Sequence, residues 1–335
     1  MKRNLATVLS YAEKCKVLHT SPSLHFSYIP SHIIHFVVVA INMQNILASN
    51  WQGSLNTIKA DAKGSKGDIH TSKIKYILRR GQPYLWVPEN DFHNVNTIID
   101  ERGSFAVTSP YPGPVGGLLK SIKKLPARVA LAGDVIPLKE EKAKSLAKKL
   151  QEVVLSERKA INEFTHTASG VLTSSDSSTS RSDNLHELLG DDERFSVYRF
   201  KMRSCTFIDG YGSTFDVDIE DMEKAKADLI APISAKLIDG INQSKPRRTA
   251  LMLFCFVYMN AHAKDAYITS VDRKGFDVLA IIPGTVSKEG VGQYRGKEFR
   301  FMFKEEANDV EAFCRQLAEM EEEVVNKVSS SSGLK

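Results

Sequence analysis

Residues 83–108, PYLWVPENDFHNVNTIIDERGSFAVT, constrain the fold of this chain more than any other segment. Residues 84–87 and 104–108 are aromatic and β-branched runs, which fit a pleated, half-buried surface. Between them Pro88 and Asn90 open a helix and Gly103 closes it, while Phe92, Val95, Ile98 and Ile99 fall at helical spacing. A strand–helix–strand unit this short leaves room for one or two helical turns. It places a His-x-x-Asn pair, His93 and Asn96, on that helix.

The flanking sequence extends the pattern. GSLNTI (residues 53–58) is a short strand. Residues 70–78 alternate, with Ile74, Tyr76 and Leu78 on one face and Thr71, Lys73 and Lys75 on the other. Arg79, Arg80, Gly81 and Gln82 make a hairpin turn into the next strand. The loop SPYPGPVGG (residues 109–117) excludes regular structure through its prolines. Residues 125–138 form a long strand in which Gly133 marks a bulge or a close backbone approach. An amphipathic helix over 139–162 buries Leu146, Leu150, Val153 and Val154, and a Ser/Thr-rich mobile loop follows over 165–183. Strands over 196–208 and 214–217 are joined by the turn DGYG.

A second unit begins near residue 225. Helical patterns cover 222–242 and 246–260, and strands cover 266–271, 276–282 and 299–303. A final helix over 304–327 repeats Val310, Phe313, Leu317, Met320 and Val324 at steps of three and four, with Glu305 and Glu306 in its first turn. The chain therefore divides into a leader (1–50), a β-rich domain (51–220) and a compact α+β domain (225–327).

The leader is read from composition. Lys2, Arg3, Lys14 and Lys16 face a single acid, Glu13, among frequent Ser, Thr and His. That pattern fits an organellar transit peptide, a disordered leader, or an untranslated segment before Met43. The apolar run over 33–41 is shorter than the ~20 residues a membrane-spanning helix needs, so no membrane span is expected. Positive charge is interleaved with acids and the net charge is only +5, which argues against a nucleic-acid partner. Cys15, Cys205, Cys255 and Cys314 lack CxxC or metal-ligand spacing, so buried free thiols are expected, and no metal site.

Taken in order, these motifs resemble the FMN-binding split barrel of the pyridoxamine-phosphate-oxidase-like superfamily. GSLNTI stands for its Gly-x-Leu-x-Thr first strand, HNVN (residues 93–96) for its His-x-x-Asn helix, PARVALAGDV (residues 126–135) for its Arg-x-x-x-x-Gly strand and DGYG for its Gly-Phe-Gly turn. The second unit is similar to the haem-utilisation-type α+β domain fused behind such barrels. Residues 51–327 resemble a plant group of this kind that includes a chloroplast glutamyl-tRNA reductase-binding protein.

The resemblance implies an α+β fold, a split β-barrel followed by a small α+β domain, and a homodimer. It implies a chloroplast location, with mitochondrion or cytoplasm as alternatives, and a protein partner in tetrapyrrole synthesis. It implies FMN as a possible cofactor, held by Thr71, Lys73, Lys75, His93, Asn96 and Arg128, with Arg79 and Arg80 at the strand end. Against FMN stand Glu89 and Asp91, whose carboxylates would repel a phosphate, and Pro88, which deletes a donor. Haem is not expected, because the histidine motif of the haem-degrading relatives corresponds here to residues 239–246, which hold no histidine. Two activities stay open: a regulatory binding protein that has lost much of its cofactor chemistry, and an FMN-dependent oxidoreductase.

Overall fold

The computed structural model describes residues 6–8, 31–60, 67–111, 115–122, 124–165, 180–190, 194–286 and 292–331. Seven strands form the first sheet: β2 (Gln52–Ile58), β3 (Ile69–Arg79), β4 (Gln82–Pro88), β5 (Arg102–Thr108), β6 (Arg128–Pro137), β7 (Phe195–Ile208) and β8 (Thr214–Val217). Their order is β4-β3-β2-β5-β6-β7-β8, and a further β4–β7 pairing closes six of them into an antiparallel barrel. Closure removes the free edges that an open sheet would expose. The β3–β4 hairpin turns on Arg80 (φ 52°) and Gly81 (φ 75°), the two left-handed positions a type I′ turn requires.

Alternation decides what lies inside. The odd positions of β2 point inward, and Leu55, Ile74, Tyr76, Leu85, Phe105, Val107, Leu131 and Phe200 fill the barrel. The bulge expected at Gly133 is present as a register shift between Ala132 and Gly133. A Cβ there would lie 2.1 Å from the Lys201 carbonyl oxygen, so the close approach holds as well.

Of the segment read as a leader, residues 31–49 are a helix that belongs to the barrel. Helix α1 (Ser31–Ser49) packs Val39, Ala40, Met43, Ile46 and Leu47 into the barrel core. Tyr76 Oη donates to the Leu47 carbonyl at 2.7 Å, and Gln44 Nε2 to the Met222 carbonyl at 2.9 Å. The physical reason is a stripe at four-residue spacing, Val39, Met43 and Leu47, inside a segment whose overall composition suits a leader. Cys15 and most of the Ser/Thr-rich 165–183 segment lie outside the described residues; Cys205, Cys255 and Cys314 are free and buried as expected.

Helix α2 (His93–Ile99) crosses one end of the barrel, and α3 (Val115–Ser121) lies in the loop before β6. Helix α4 (Glu140–Thr165) and the short α5 (Arg181–His186) cover Ile77 and Trp86 on the barrel's outer side. The helix expected over 222–242 is broken into α6 (Ile219–Lys224) and α7 (Ser234–Gln243), because Ala225 is extended and Pro232 cannot continue a helix.

The second unit is a sheet of order β1-β11-β10-β9, from β1 (Ala6–Val8), β9 (Asp265–Asp272), β10 (Gly275–Val286) and β11 (Gly292–Met302). It is covered by α7, α8 (Lys245–Met259) and α9 (Val310–Ser331), around a core of Phe254, Phe276, Phe299, Phe301 and Phe313. Helix α9 starts six residues later than its charge pattern suggests, with Asp309 Oδ1 accepting the Ala312 N–H at 2.7 Å. No helix among the described residues is long and apolar enough to cross a membrane.

Candidate functional site

Helix α2 is amphipathic in the opposite sense to its sequence pattern. Its buried residues are His93, Asn96 and Thr97. The apolar row faces solvent: Phe92 is 69% exposed, Val95 54%, Ile98 81% and Ile99 71%. Inside, the His-x-x-Asn pair converges on one hydroxyl. Thr57 Oγ1, on the inward face of β2, lies 2.7 Å from His93 Nδ1 and accepts from Asn96 Nδ2 at 2.9 Å. Asn96 Oδ1 also accepts the Ala60 N–H at 2.8 Å, closing the end of β2. Between them Asn94 staples the preceding loop by donating to the Pro88 carbonyl at 2.7 Å, and Tyr198 Oη donates to Asn94 Oδ1 at 2.8 Å.

Beside this pair stands His70, on the inward phase of β3. His70 Nε2 is 3.0 Å from Asp91 Oδ1, and the two imidazole rings are 4.5 Å apart. Asp91 accepts Ser72 Oγ at 2.9 Å and the His93 N–H at 2.9 Å. Burial pushes the Asp91 carboxyl up, but these donors and the imidazoles outweigh it and hold it below the usual range. Burial also holds His93 down, to about 4, against the pull of Asp91, so its ring is neutral near pH 7.

The six residues taken together in the sequence reading split between two faces of the sheet. Thr71, Lys73 and Lys75 do share the outer face of β3. Thr71 Oγ1 donates to Asn56 Oδ1 at 2.7 Å, and Lys75 Nζ donates to Glu187 Oε2 at 2.6 Å, while Lys73 is exposed. Arg128 lies on the same outer face, but on β6, three strands from β3 in either direction round the closed six-stranded ring. Three strand spacings of about 4.8 Å separate them. His93 and Asn96 point into the barrel instead. Within one chain these groups do not converge into a cradle for a phosphate.

The carboxylates of the 88–91 loop also part. Glu89 is exposed, whereas Asp91 is turned inward to His70 and Ser72, away from the Lys73 face. The repulsion expected between Asp91 and a bound phosphate is therefore not set up on that face. In the second unit, Asn242 exchanges hydrogen bonds with the backbone of Ile268 at 2.8 Å each way and offers no haem ligand.

Sequence reasoning missed His70, Ser72 and Thr57. The signal was present, since His70 and Ser72 continue the inward phase of Ile74, Tyr76 and Leu78, where a polar side chain needs a buried partner.

A heme binding protein from Mycobacterium smegmatis superposes on 86% of this chain and 98% of its own, with 20% identity and a TM-score of 0.50. The fold is the split barrel. A Clostridium acetobutylicum protein related to general stress protein 26, of the pyridoxinephosphate oxidase family, aligns with 56% of this split-barrel chain and 98% of its own, with 10% identity and a TM-score of 0.34. In sequence, 84 residues, 25% of the chain, are 30% identical to an uncharacterized protein of Arabidopsis thaliana, and cover 17% of that protein. No family model matches.

Proposed function

We propose that this chain is a regulatory binding protein on a split-barrel scaffold, acting as a homodimer in the chloroplast and serving tetrapyrrole metabolism. The observation that carries the dimer is the outward apolar row of α2. Three large apolar side chains on a seven-residue helix, with Phe92 at its N-cap, form a patch that a monomer has no reason to present to water. A second copy brought against this face by a two-fold axis would cover both patches at once. The binding role is supported by the sequence resemblance to a reductase-binding plant group and by the heme-binding neighbour. Thr71 and Lys75, already engaged by Asn56 and Glu187, favour binding over flavin catalysis.

Light scattering on the purified chain at micromolar concentration is expected to give twice the chain mass, and Ile98→Glu to give a monomer with an unchanged melting temperature. A wild-type monomer sinks the dimer. Titration with FMN and with haem separates the two activities. A stoichiometric yellow complex, lost on Lys73→Ala, would establish the flavin reading, which the inward turn of Asp91 makes electrostatically permissible. Import into isolated chloroplasts should cut any leader before α1, since cleavage at residue 50 would strip the core. Protein left unprocessed outside the organelle would overturn the location.

A further inference from the structure

We propose that His70, Asp91 and His93 form a binding site for one divalent transition-metal ion of the zinc type. Two imidazoles and a carboxylate are the ligand set that zinc and its neighbours take in sites that keep a position open. One ligand atom from each of the three lies within 4.8 Å of the others. His70 Nε2 and His93 Nε2 are 3.0 and 4.0 Å from Asp91 Oδ1. Those separations bracket the spacing of about 3.3 Å between ligands that are each ~2.0–2.1 Å from a tetrahedral ion.

The independent observation is His93 Nε2. The ring is fully buried, and this nitrogen has no hydrogen-bond partner. With the proton on Nδ1, shared with Thr57, Nε2 directs a bare lone pair at a carboxylate oxygen. With the proton on Nε2, the 4.0 Å gap to Asp91 Oδ1 is too long to satisfy it. Neither tautomer pairs the atom, and a cation between His93 and Asp91 satisfies both.

The supporting contacts are already in place. Thr57 Oγ1 fixes His93 through Nδ1, and Ser72 Oγ and the His93 N–H orient Asp91. His70 and Asp91 are only partly covered, with side chains 22% and 15% exposed, so a fourth position faces solvent and suits a water. Loading requires His70 to carry its proton on Nδ1 rather than Nε2, a tautomer change with no change of charge.

The test uses the full chain without a histidine tag, stripped with EDTA and equilibrated with Zn²⁺. Bound zinc is measured by elemental analysis and affinity by competition with a chromophoric chelator. One equivalent per chain is expected. His70→Gln, at a partly exposed position that need not disturb the core, should lower affinity more than roughly 100-fold, and Ser72→Ala by about 10–100-fold. His186→Gln, an exposed histidine elsewhere, should leave it unchanged. Co²⁺ in place of zinc should show visible ligand-field bands that His70→Gln abolishes, with circular dichroism reporting that the variant is folded. A wild-type chain that keeps no zinc through gel filtration from micromolar Zn²⁺ overturns the site. So does a His70→Gln chain that binds as tightly as wild type.

Discussion

Thr57 is one hydroxyl on the inner wall of the barrel, and both members of the His-x-x-Asn pair depend on it. Thr57→Val preserves shape but leaves His93 Nδ1 and Asn96 Nδ2 buried without partners. A loss of about 1–3 kcal/mol is expected, read from the denaturant midpoint, with Thr57→Ser recovering most of it. Gly133 is constrained by space, not charge. Its added methyl would meet backbone at Lys201, so Gly133→Ala should cost about 1–3 kcal/mol by the same measurement. Gly133 could be picked out in the sequence because a glycine inside a β-branched run weakens the strand unless a bulge or a neighbouring backbone requires it. Thr57 could not, because a threonine in a strand is ordinary until its neighbours are known.

Among the elements, strands were the most legible. Alternation in β3 and the aromatic run of β4 set both their existence and their inward face, since a one-residue slip would expose the whole core side. Helices were legible in period and not in direction. The spacing of Phe92, Val95, Ile98 and Ile99 gave a helix, but nothing in one chain tells whether such a row is covered by its own barrel or by something else. Helix α1 was hidden by a composition that fits a leader, even though Val39, Met43 and Leu47 mark an apolar stripe. Its weight is measurable: Leu47, fully buried, should cost about 2–5 kcal/mol on Leu47→Ala. A chain started at Met43 would lose Val38, Val39 and Ala40 from the core and melt at a lower temperature. An unchanged melting curve for that truncation would show that α1 contributes little.

At the scale of the molecule, several elements cross between the barrel and the second unit. Val115 and Leu119 of α3 pack with Leu279 of β10, and Asn45 Oδ1 of α1 accepts the Asp228 N–H at 2.7 Å. Lys124 pairs with Glu298 of β11, beside a cleft of about 480 Å³ lined by Tyr111, Phe207 and Tyr211. With so much shared packing, calorimetry should record one cooperative transition, the van't Hoff enthalpy matching the calorimetric one. Two separated peaks would mean that the units melt independently. The order of the two units was legible, because a β-rich run followed by alternating helices and strands suggests two layers of packing. The cluster at the barrel end was not, since His70 lies on β3 and Asp91 comes 21 residues later, in the loop after β4. The β3–β4 hairpin, whose register runs Lys75 against Trp86, carries the loop after β4 back to the start of β3 and brings them together.

Helix α1 is made well before the strands that cover it. The barrel it plugs is closed by β7, whose final residue, Ile208, leaves the ribosome long after Leu47. At a synthesis rate of about 5–20 residues per second, the apolar stripe waits on the order of ten seconds to half a minute without its pocket. During that interval the nascent chain presents an unaccompanied greasy helix, a ready client for a chaperone holdase. Shielding α1 until β7 is complete is therefore a requirement that the order of synthesis places on this fold.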